Sequence, residues 1–548
     1  MPRDGAVLRP APAPARRWVG PAAGLSAAAV LGWGLTTPAL WLDESATVIA
    51  TRRGWPELWH LLEGSEAPLV PYYAVEKVAV SAIAAVLPAG AVPPELLYRL
   101  PAVAAAVLAA WLLAGWLSRL AGTAGRGLAG AATGVLLLLP AFSRYGQEAR
   151  PYAVALAAGV VATVAWSRLV LLDHRPPHPS PGAGPGRRAL AVTTAGYAAA
   201  VAVLTLAQVL AASLVAAHLA LAVAAPGPLG RRRAVRRTVA GAVAGLLPLL
   251  PFAAVAWVFG TGPMTAPHAP TPGHLAGVAF QLFADPAAPA GGVVVLLAAA
   301  LGATRVRSAR DGAVARLALA WALVPPAVLL PLVWVQPNLI THRYLLFTVP
   351  GWAILAGLGV VTAADRARRA AARARRLSWR GTVAAGAAAA AALAATAVLQ
   401  VPGLAAVRGP AGHGEDIRPA LRAAHVDGRD DLPLVVHSRA AAELVPYAGT
   451  VEPRLLGAEL QRTTRSIWPV TDRPATLDAR LRDHPRVVLL LRGSSAGACG
   501  WRAGGSLARY VTRCMPDALR EQGFRVVHAE AAGRRWTMAL LIRPSPSR

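Results

Sequence analysis

The chain has 548 residues, of which 55% are hydrophobic and only 15% charged, and its formal net charge is +28. A water-soluble protein of this length needs more polar surface, so the composition excludes an ordinary globular enzyme and points to a polytopic α-helical membrane protein. Nucleic-acid binding is excluded as the reason for the charge. The arginines form no single patch but sit in short clusters between apolar runs, such as "RRRAVRR" (231–237) and "DRARRAAARARR" (365–376), which is the positive-inside pattern.

Residues 1–17 are basic and rich in Pro and read as a disordered cytoplasmic tail. The run 18–40 is apolar enough to span a bilayer, and Arg16 and Arg17 hold its start inside. No small-residue cleavage site follows it and more apolar runs do, so it reads as a span rather than a signal peptide. Asp43 and Glu44, in "WLDES", therefore emerge outside. Residues 41–99 form the first outer loop, which concentrates acid: Asp43, Glu44, Glu57, Glu63, Glu66, Glu76 and Glu95. The loop begins as two short amphipathic helices broken near Gly54-Trp55-Pro56, and Trp55, Trp59, Tyr72 and Tyr73 suit the headgroup layer. The stretch 71–88 carries Glu76 and Lys77, the only lysine in the chain. It reads as interfacial or partly inserted, because a span there would upset the later alternation of sides.

Beyond it the arginine clusters set the topology. Spans are expected near 96–117, 127–142 and 153–171, two in tight succession over 189–225, then near 238–258, 289–304, 314–335, 345–363 and 381–401; with 18–40 that makes about 11. "FSRYGQEARPY" (142–152) and "QPNLITHRYLLF" (336–347) fall outside. From 402 to 548 the pattern changes. "LPLVVHS", "RVVLLLRG", "FRVVHAE" and "RWTMALLIR" read as strands, and "GEDIRPALRAAH" and "SLARYVTRCMPDALREQG" as helices, which together give one small extracytoplasmic α/β domain. Cys499 and Cys514 lie in it, in an oxidising compartment, and are a disulfide candidate; two free thiols are the alternative.

Four polar islands, 43–44, 60–73, 143–152 and 341–344, are expected on the same outer face. Carboxylates, arginines and histidines gathered there suit sugar transfer from a lipid phosphate. Such a transfer needs a base for the acceptor hydroxyl and cations for the phosphate as negative charge builds on it, and Arg binds phosphate with a two-pronged fork. Nucleotide sugars stay in the cytoplasm, and the chain has no nucleotide-binding glycine loop. Each residue also has a plainer reading. Asp43 could be the N-cap of a helix beginning at Glu44. Arg144, Arg150, His342 and Arg343 could be anchors at helix ends, although outward arginines oppose the positive-inside bias. No His, Cys or Asp cluster has metal-ligand spacing.

Five segments in this order, "LWLDESATVIATRRGWPEL", "APLVPYYAVEKV", "LLYRLPAVAAAVLA", "PAFSRYGQEARPYAVALA" and "THRYLLFTVPGWAILAG", resemble glycosyltransferase family 39 proteins. These have the GT-C fold, shared with protein O-mannosyltransferases and lipid A aminoarabinose transferases. The resemblance covers residues 18–365 and is strongest to bacterial mannosyltransferase-like members. It implies a GT-C-like catalytic domain over 18–401 in a bacterial plasma membrane, with the N-terminus cytoplasmic. The implied reaction is an inverting transfer of a sugar, mannose being expected, from a polyprenyl-phosphate donor to a hydroxyl of a protein, glycolipid or wall polysaccharide. It further implies Asp43 as general base, with Glu44 supporting it or holding a divalent cation, Mg or Mn. Arg144, Gln147, Arg150, Tyr152, His342, Arg343 and Tyr344 would bind the donor phosphate or wall the cavity. Glu66, Tyr72 and Tyr73 would line the acceptor side, where "EAPLVPYY" departs from the His-containing or Pro-Pro motif of many relatives. The alternatives are a polyprenyl-phosphate-arabinose transferase, a polyprenyl-lipid transporter, and a wall-polymer-binding protein whose active part is 402–548. The transporter is disfavoured by the lack of an internal repeat and by polar residues gathering at the outer interface rather than at mid-membrane.

Overall fold

A computed structural model of the protein describes residues 17–64, 66–87, 92–120, 125–171, 187–259, 271–286, 288–309, 311–334, 341–373, 378–424, 432–436, 438–447, 455–456, 458–459, 470–471, 481–493, 506–532 and 536–544. The tail 1–16 and Cys499 lie outside these, so the Cys499–Cys514 pairing does too. The helices are α1 Val19–Gly32, α2 Leu42–Arg52, α3 Trp55–Trp59, α4 Val70–Val86, α5 Pro94–Leu120, α6 Gly125–Leu138, α7 Pro140–Gln147, α8 Tyr152–Leu171, α9 Arg187–Ala207, α10 Leu214–Val223, α11 Pro228–Leu246, α12 Leu250–Phe259, α13 Pro272–Phe280, α14 Pro289–Ala303, α15 Gly312–Leu329, α16 Val349–Arg373, α17 Ser378–Arg408, α18 Arg418–Ala424, α19 Leu507–Cys514 and α20 Asp517–Glu521. Two compact units emerge: Met1–Trp33 with Arg99–Val407, and Gly34–Tyr98 with Arg408–Arg548.

The first unit is a helical bundle whose core is rich in Ala and Leu. Small residues let its helices touch backbone to backbone. A Cβ at Gly302 of α14 would collide with the Leu355 carbonyl of α16, and one at Gly359 with the Ala298 carbonyl of α14, so that crossing requires both glycines. Helices α6 and α7 meet at a bend of 70°. Leu139 is extended there and Pro140, at the first turn of α7, offers no N–H to continue α6.

Among the described residues nine helices are long and apolar enough to cross a membrane, or ten if the bent pair α6–α7 is one span. The protein is therefore a multi-pass membrane protein, as the expected bundle of about 11 spans implied. Two expected spans are short: α1 has 14 residues and gives way to a turn at Gly34, whose φ is +68°, and the second half of 189–225 yields a 3-10 turn and the 10-residue α10. Conversely, Ala67–Val86 is one continuous apolar stretch that passes the same test, although its polar pair Glu76-Lys77 reads as interfacial by sequence.

The second unit contains β1 Leu434–Val436, β2 Leu455–Leu456, β3 Ala458–Glu459, β4 Val470–Thr471, β5 Arg486–Arg492, β6 Arg525–Ala531 and β7 Trp536–Ile542. Five strands form a mixed sheet in the order β2-β1-β5-β7-β6, parallel at β2-β1-β5 and antiparallel at β5-β7-β6. The two-residue period of a strand shows directly in β5. Val488 and Leu490 join the core on the α18 side with Ile417 and Met538, while Val487, Leu489 and Leu491 join the other with Tyr510 and Leu519. The single helix expected over 506–523 is two, because Met515 is extended and Pro516 cannot continue α19. The sequence division at 401/402 places the loop 41–99 with the spans; the structure instead packs α2 on the 3-10 segment Ser438–Tyr447, within the same unit as the sheet.

Candidate functional site

In the first unit the two sequence motifs after α6 come together. The 3-10 turn His342–Thr348 packs on α7 and α8. Its backbone is anchored by Gln208 Nε2, which donates to the Tyr344 carbonyl at 2.7 Å, and by Trp321 Nε1, which donates to the Phe347 carbonyl at 2.8 Å. Tyr145 OH and His342 Nε2 share a hydrogen bond of 2.5 Å. Tyr152 stands edge-on to Tyr145, with centroids 5.5 Å apart, and 6.0 Å from Tyr344. Two guanidinium groups lie by these rings: Arg144 has its Cζ 5.3 Å from the Tyr145 ring and Arg343 has its Cζ 5.5 Å from the Tyr344 ring. Arg150, two residues before Tyr152, is buried, 8% exposed. Glu148, fully buried, has its Oε2 3.9 Å from Arg144 Nε. Guanidinium groups beside tyrosine rings are the kind of setting that binds an anion.

Gln147 shares this motif but has a different task. Its side chain is fully buried, and its Nε2 donates to the Leu31 carbonyl at 2.6 Å and the Trp33 carbonyl at 3.1 Å. It thus donates to carbonyls at the end of α1. Tyr145 and Glu148 were not singled out by sequence reasoning. Both lie inside the quoted motif, and their signal was position between the two arginines.

In the second unit the acid pair is split by burial. Helix α2 begins at Leu42, with Trp41 as an extended N-cap, so Asp43 lies in the first turn and does not cap a helix starting at Glu44. Glu44 does the capping: its Oε2 accepts from the Trp41 N–H at 3.4 Å. Glu44 is fully buried, and the same oxygen stands 3.7 Å from Nδ1 of His413, also fully buried. Asp43 is half-buried. Helix α4 packs beside α2 and brings the rest of the loop motif to it. Tyr73, fully buried, donates its hydroxyl to Glu66 Oε2 at 2.7 Å, and Tyr72 is buried beside it, with ring centroids 5.9 Å apart. Lys77 Nζ closes the far end of α2 by donating to the carbonyls of Thr51 at 2.8 Å and Arg53 at 2.6 Å.

Among the described residues no group of three or more His, Cys, Asp or Glu side chains could hold a metal ion.

No family model matches the chain, and no curated protein matches it. Solved structures do. ArnT from Cupriavidus metallidurans in the apo state is similar with a TM-score of 0.56 at 12% identity, over 97% of this chain and 100% of that one. The same protein bound to undecaprenyl phosphate gives a TM-score of 0.53 at 13% identity, over 97% and 99%. The chain therefore has the GT-C fold of a polytopic membrane bundle, as the sequence motifs implied.

Proposed function

We propose that the protein is an integral-membrane glycosyltransferase that moves a sugar from a polyprenyl-phosphate donor to an acceptor hydroxyl on the outer face of the membrane, with inversion. The observation that carries this reading is the clustering of Arg144, His342 and Arg343, from two segments almost 200 residues apart in sequence, into one cationic, tyrosine-lined site at the ends of membrane helices. A membrane-embedded phosphate monoester or diester is the anion such a site meets. The fold is shared with a protein solved with undecaprenyl phosphate bound, which supports that choice.

Asp43 is the general base. It is the half-open carboxylate at the start of α2, whereas its neighbour Glu44 is sealed inside. The acceptor O–H gives its proton to the Asp43 carboxylate as its oxygen bonds to the anomeric carbon. The bond from that carbon to the phosphate oxygen breaks, the electron pair stays on the phosphate, and polyprenyl phosphate leaves. Arg144, Arg343 and Arg150 stabilise the charge that grows on it. Attack on one face and departure from the other inverts the anomeric centre. Mannose is the proposed sugar, and a protein, glycolipid or wall polysaccharide supplies the hydroxyl. In this arrangement the N-terminus is cytoplasmic and the sheet-bearing unit extracytoplasmic, in a bacterial plasma membrane.

The test is the variant Asp43→Asn, which keeps the size and hydrogen-bonding reach of the side chain and removes the base. Wild type and variant, reconstituted in lipid and matched for thermal stability, are given undecaprenyl-phosphate mannose and a cell-envelope acceptor fraction. Turnover by wild type with loss in the variant supports the reading. Equal turnover moves the base elsewhere, and wild-type turnover of a pentose donor alone replaces mannose with arabinose. No turnover of either donor by wild type removes the transferase assignment.

A further inference from the structure

The start of α2 is held largely by chain from beyond residue 408. Three consecutive backbone N–H groups lead into the helix. Ala39 donates to the Pro410 carbonyl at 3.1 Å, Leu40 to the Tyr447 hydroxyl at 2.8 Å, and Trp41 to Glu44. The carbonyls just before them, of Thr36 and Thr37, accept from the Arg418 guanidinium. Tyr447 is the junction of this network. While accepting from Leu40 it donates to Glu95 Oε1 at 2.9 Å, and the same oxygen receives Arg418 Nη1 at 3.1 Å. Arg418 is itself oriented by Asp416 at 2.8 Å. Behind the N-cap, a Cβ at Gly414 would lie 2.6 Å from Trp41 Cβ, so only glycine lets the two strands of chain approach so closely. Next to it His413 faces Glu44, as described.

These contacts converge on a loop that has little regular structure of its own, between α1 and α2. A loop of that kind moves readily unless its backbone groups are tied down. Here they are tied down by residues some 400 positions away, immediately ahead of a carboxylate whose task demands placement to about 0.5 Å.

We propose that residues 410–418 together with Tyr447 form a brace that sets the position of the Asp43 carboxylate, so that the chain after α17 is part of the catalytic apparatus. Tyr447 is a positioning residue in this scheme, and the inference rests on Asp43 being the base. Burial and the adjacent Glu95 carboxylate push the Tyr447 phenol well above its ordinary pKa, so it stays protonated and keeps donating throughout the range where the protein works.

The variant Tyr447→Phe tests the brace, since it keeps the ring in its packing and deletes only the hydroxyl. In the protein in lipid, with undecaprenyl-phosphate mannose as donor, kcat falls at least about tenfold while the donor KM holds, a fall larger than the lower melting temperature from the unmatched Leu40 N–H and Glu95 carboxylate accounts for, because misplacing a catalytic group costs rate rather than binding. Amide exchange at Leu40 and in the first turn of α2 accelerates, and exchange in the sheet does not. Arg418→Lys, which retains a donor, loses less kcat than Arg418→Ala. Unchanged exchange in Tyr447→Phe overturns the brace. Faster exchange with wild-type kcat overturns its role in positioning, and a fall in kcat that only tracks a fall in melting temperature reduces it to a stability contact. An inactive Asp43→Asn alongside a fully active Tyr447→Phe sinks the brace alone. A wild type inactive with every donor, or an Asp43→Asn as active as wild type, sinks the underlying reading and the brace with it.

Discussion

The arginine cluster around α7 and the acidic start of α2 differ in how their charges are used. Around α7 the cations Arg144 and Arg343 stand against tyrosine rings, with the buried Glu148 carboxylate near Arg144. In the loop unit the carboxylates are mostly occupied. Glu44 caps a helix, Glu66 accepts from Tyr73, and Glu95 accepts from Tyr447 and Arg418. Asp43 differs from these in being only half-buried. Glu44, Glu66 and Glu95 thus serve the architecture of this unit. The cause is the cost of burial. A carboxylate taken out of water has to find donors, and short loops supply backbone and tyrosine donors readily.

The contrast is sharpest within the Asp43-Glu44 pair. Asp43→Asn lowers kcat by about 10²–10⁴-fold with an unchanged melting temperature, the range for loss of a general base. Glu44→Ala has the opposite signature. It removes the cap and leaves buried groups unmatched, costing about 1–3 kcal/mol of stability, with kcat per folded molecule much less affected. Thermal melts and single-turnover rates on the two variants separate the roles, and similar behaviour of both would erase the distinction drawn here. The next largest effect belongs to the other region. Arg343→Ala and Arg144→Ala each raise the donor KM and lower kcat, so that kcat/KM for the donor falls about tenfold or more, the scale of a charge-assisted hydrogen bond, while the melting temperature holds. Variants that change melting temperature but not donor KM would make these arginines anchors instead.

The smallest predicted effect probes charge burial inside the sheet unit. Glu443 is almost fully buried, with Oε1 2.8 Å from Arg492 Nη1. Burial pushes its carboxyl up to about 7; Arg492 opposes the shift and Glu415 adds to it. The sign follows from linkage. A carboxyl whose folded pKa is raised stabilises the fold fully below its unfolded value, and that contribution is lost as pH rises through about 7. The sheet unit therefore melts a few degrees lower at about pH 8 than at about pH 5, and Glu443→Gln flattens this dependence. Differential scanning calorimetry at the two pH values checks it, and an unchanged slope in the variant would refute it.

The sequence by itself determined that the chain is a many-span membrane bundle followed by an α/β segment, where most spans run, and which two motifs after α6 carry the cations. These are properties of composition and period, summed over stretches of about 20 residues for a span or seven for a strand such as β5, and they survive without knowledge of the partners. The break at Pro516 was also legible, since the residue before a proline resists helix, though the apolar period over 506–523 masked it. Only the tertiary structure decided which carboxylate of the Asp43-Glu44 pair is sealed, that Gln147 serves α1, and that Tyr447 and Arg418 grip the loop ahead of α2. Each of these depends on a polar group meeting a partner more than 100 residues away, such as Leu40 with Tyr447 at a separation of 407, and no local pattern encodes such a meeting. Burial then turned identical side-chain chemistry into different roles, because desolvation depends on what the rest of the fold stacks against a residue rather than on the residue itself.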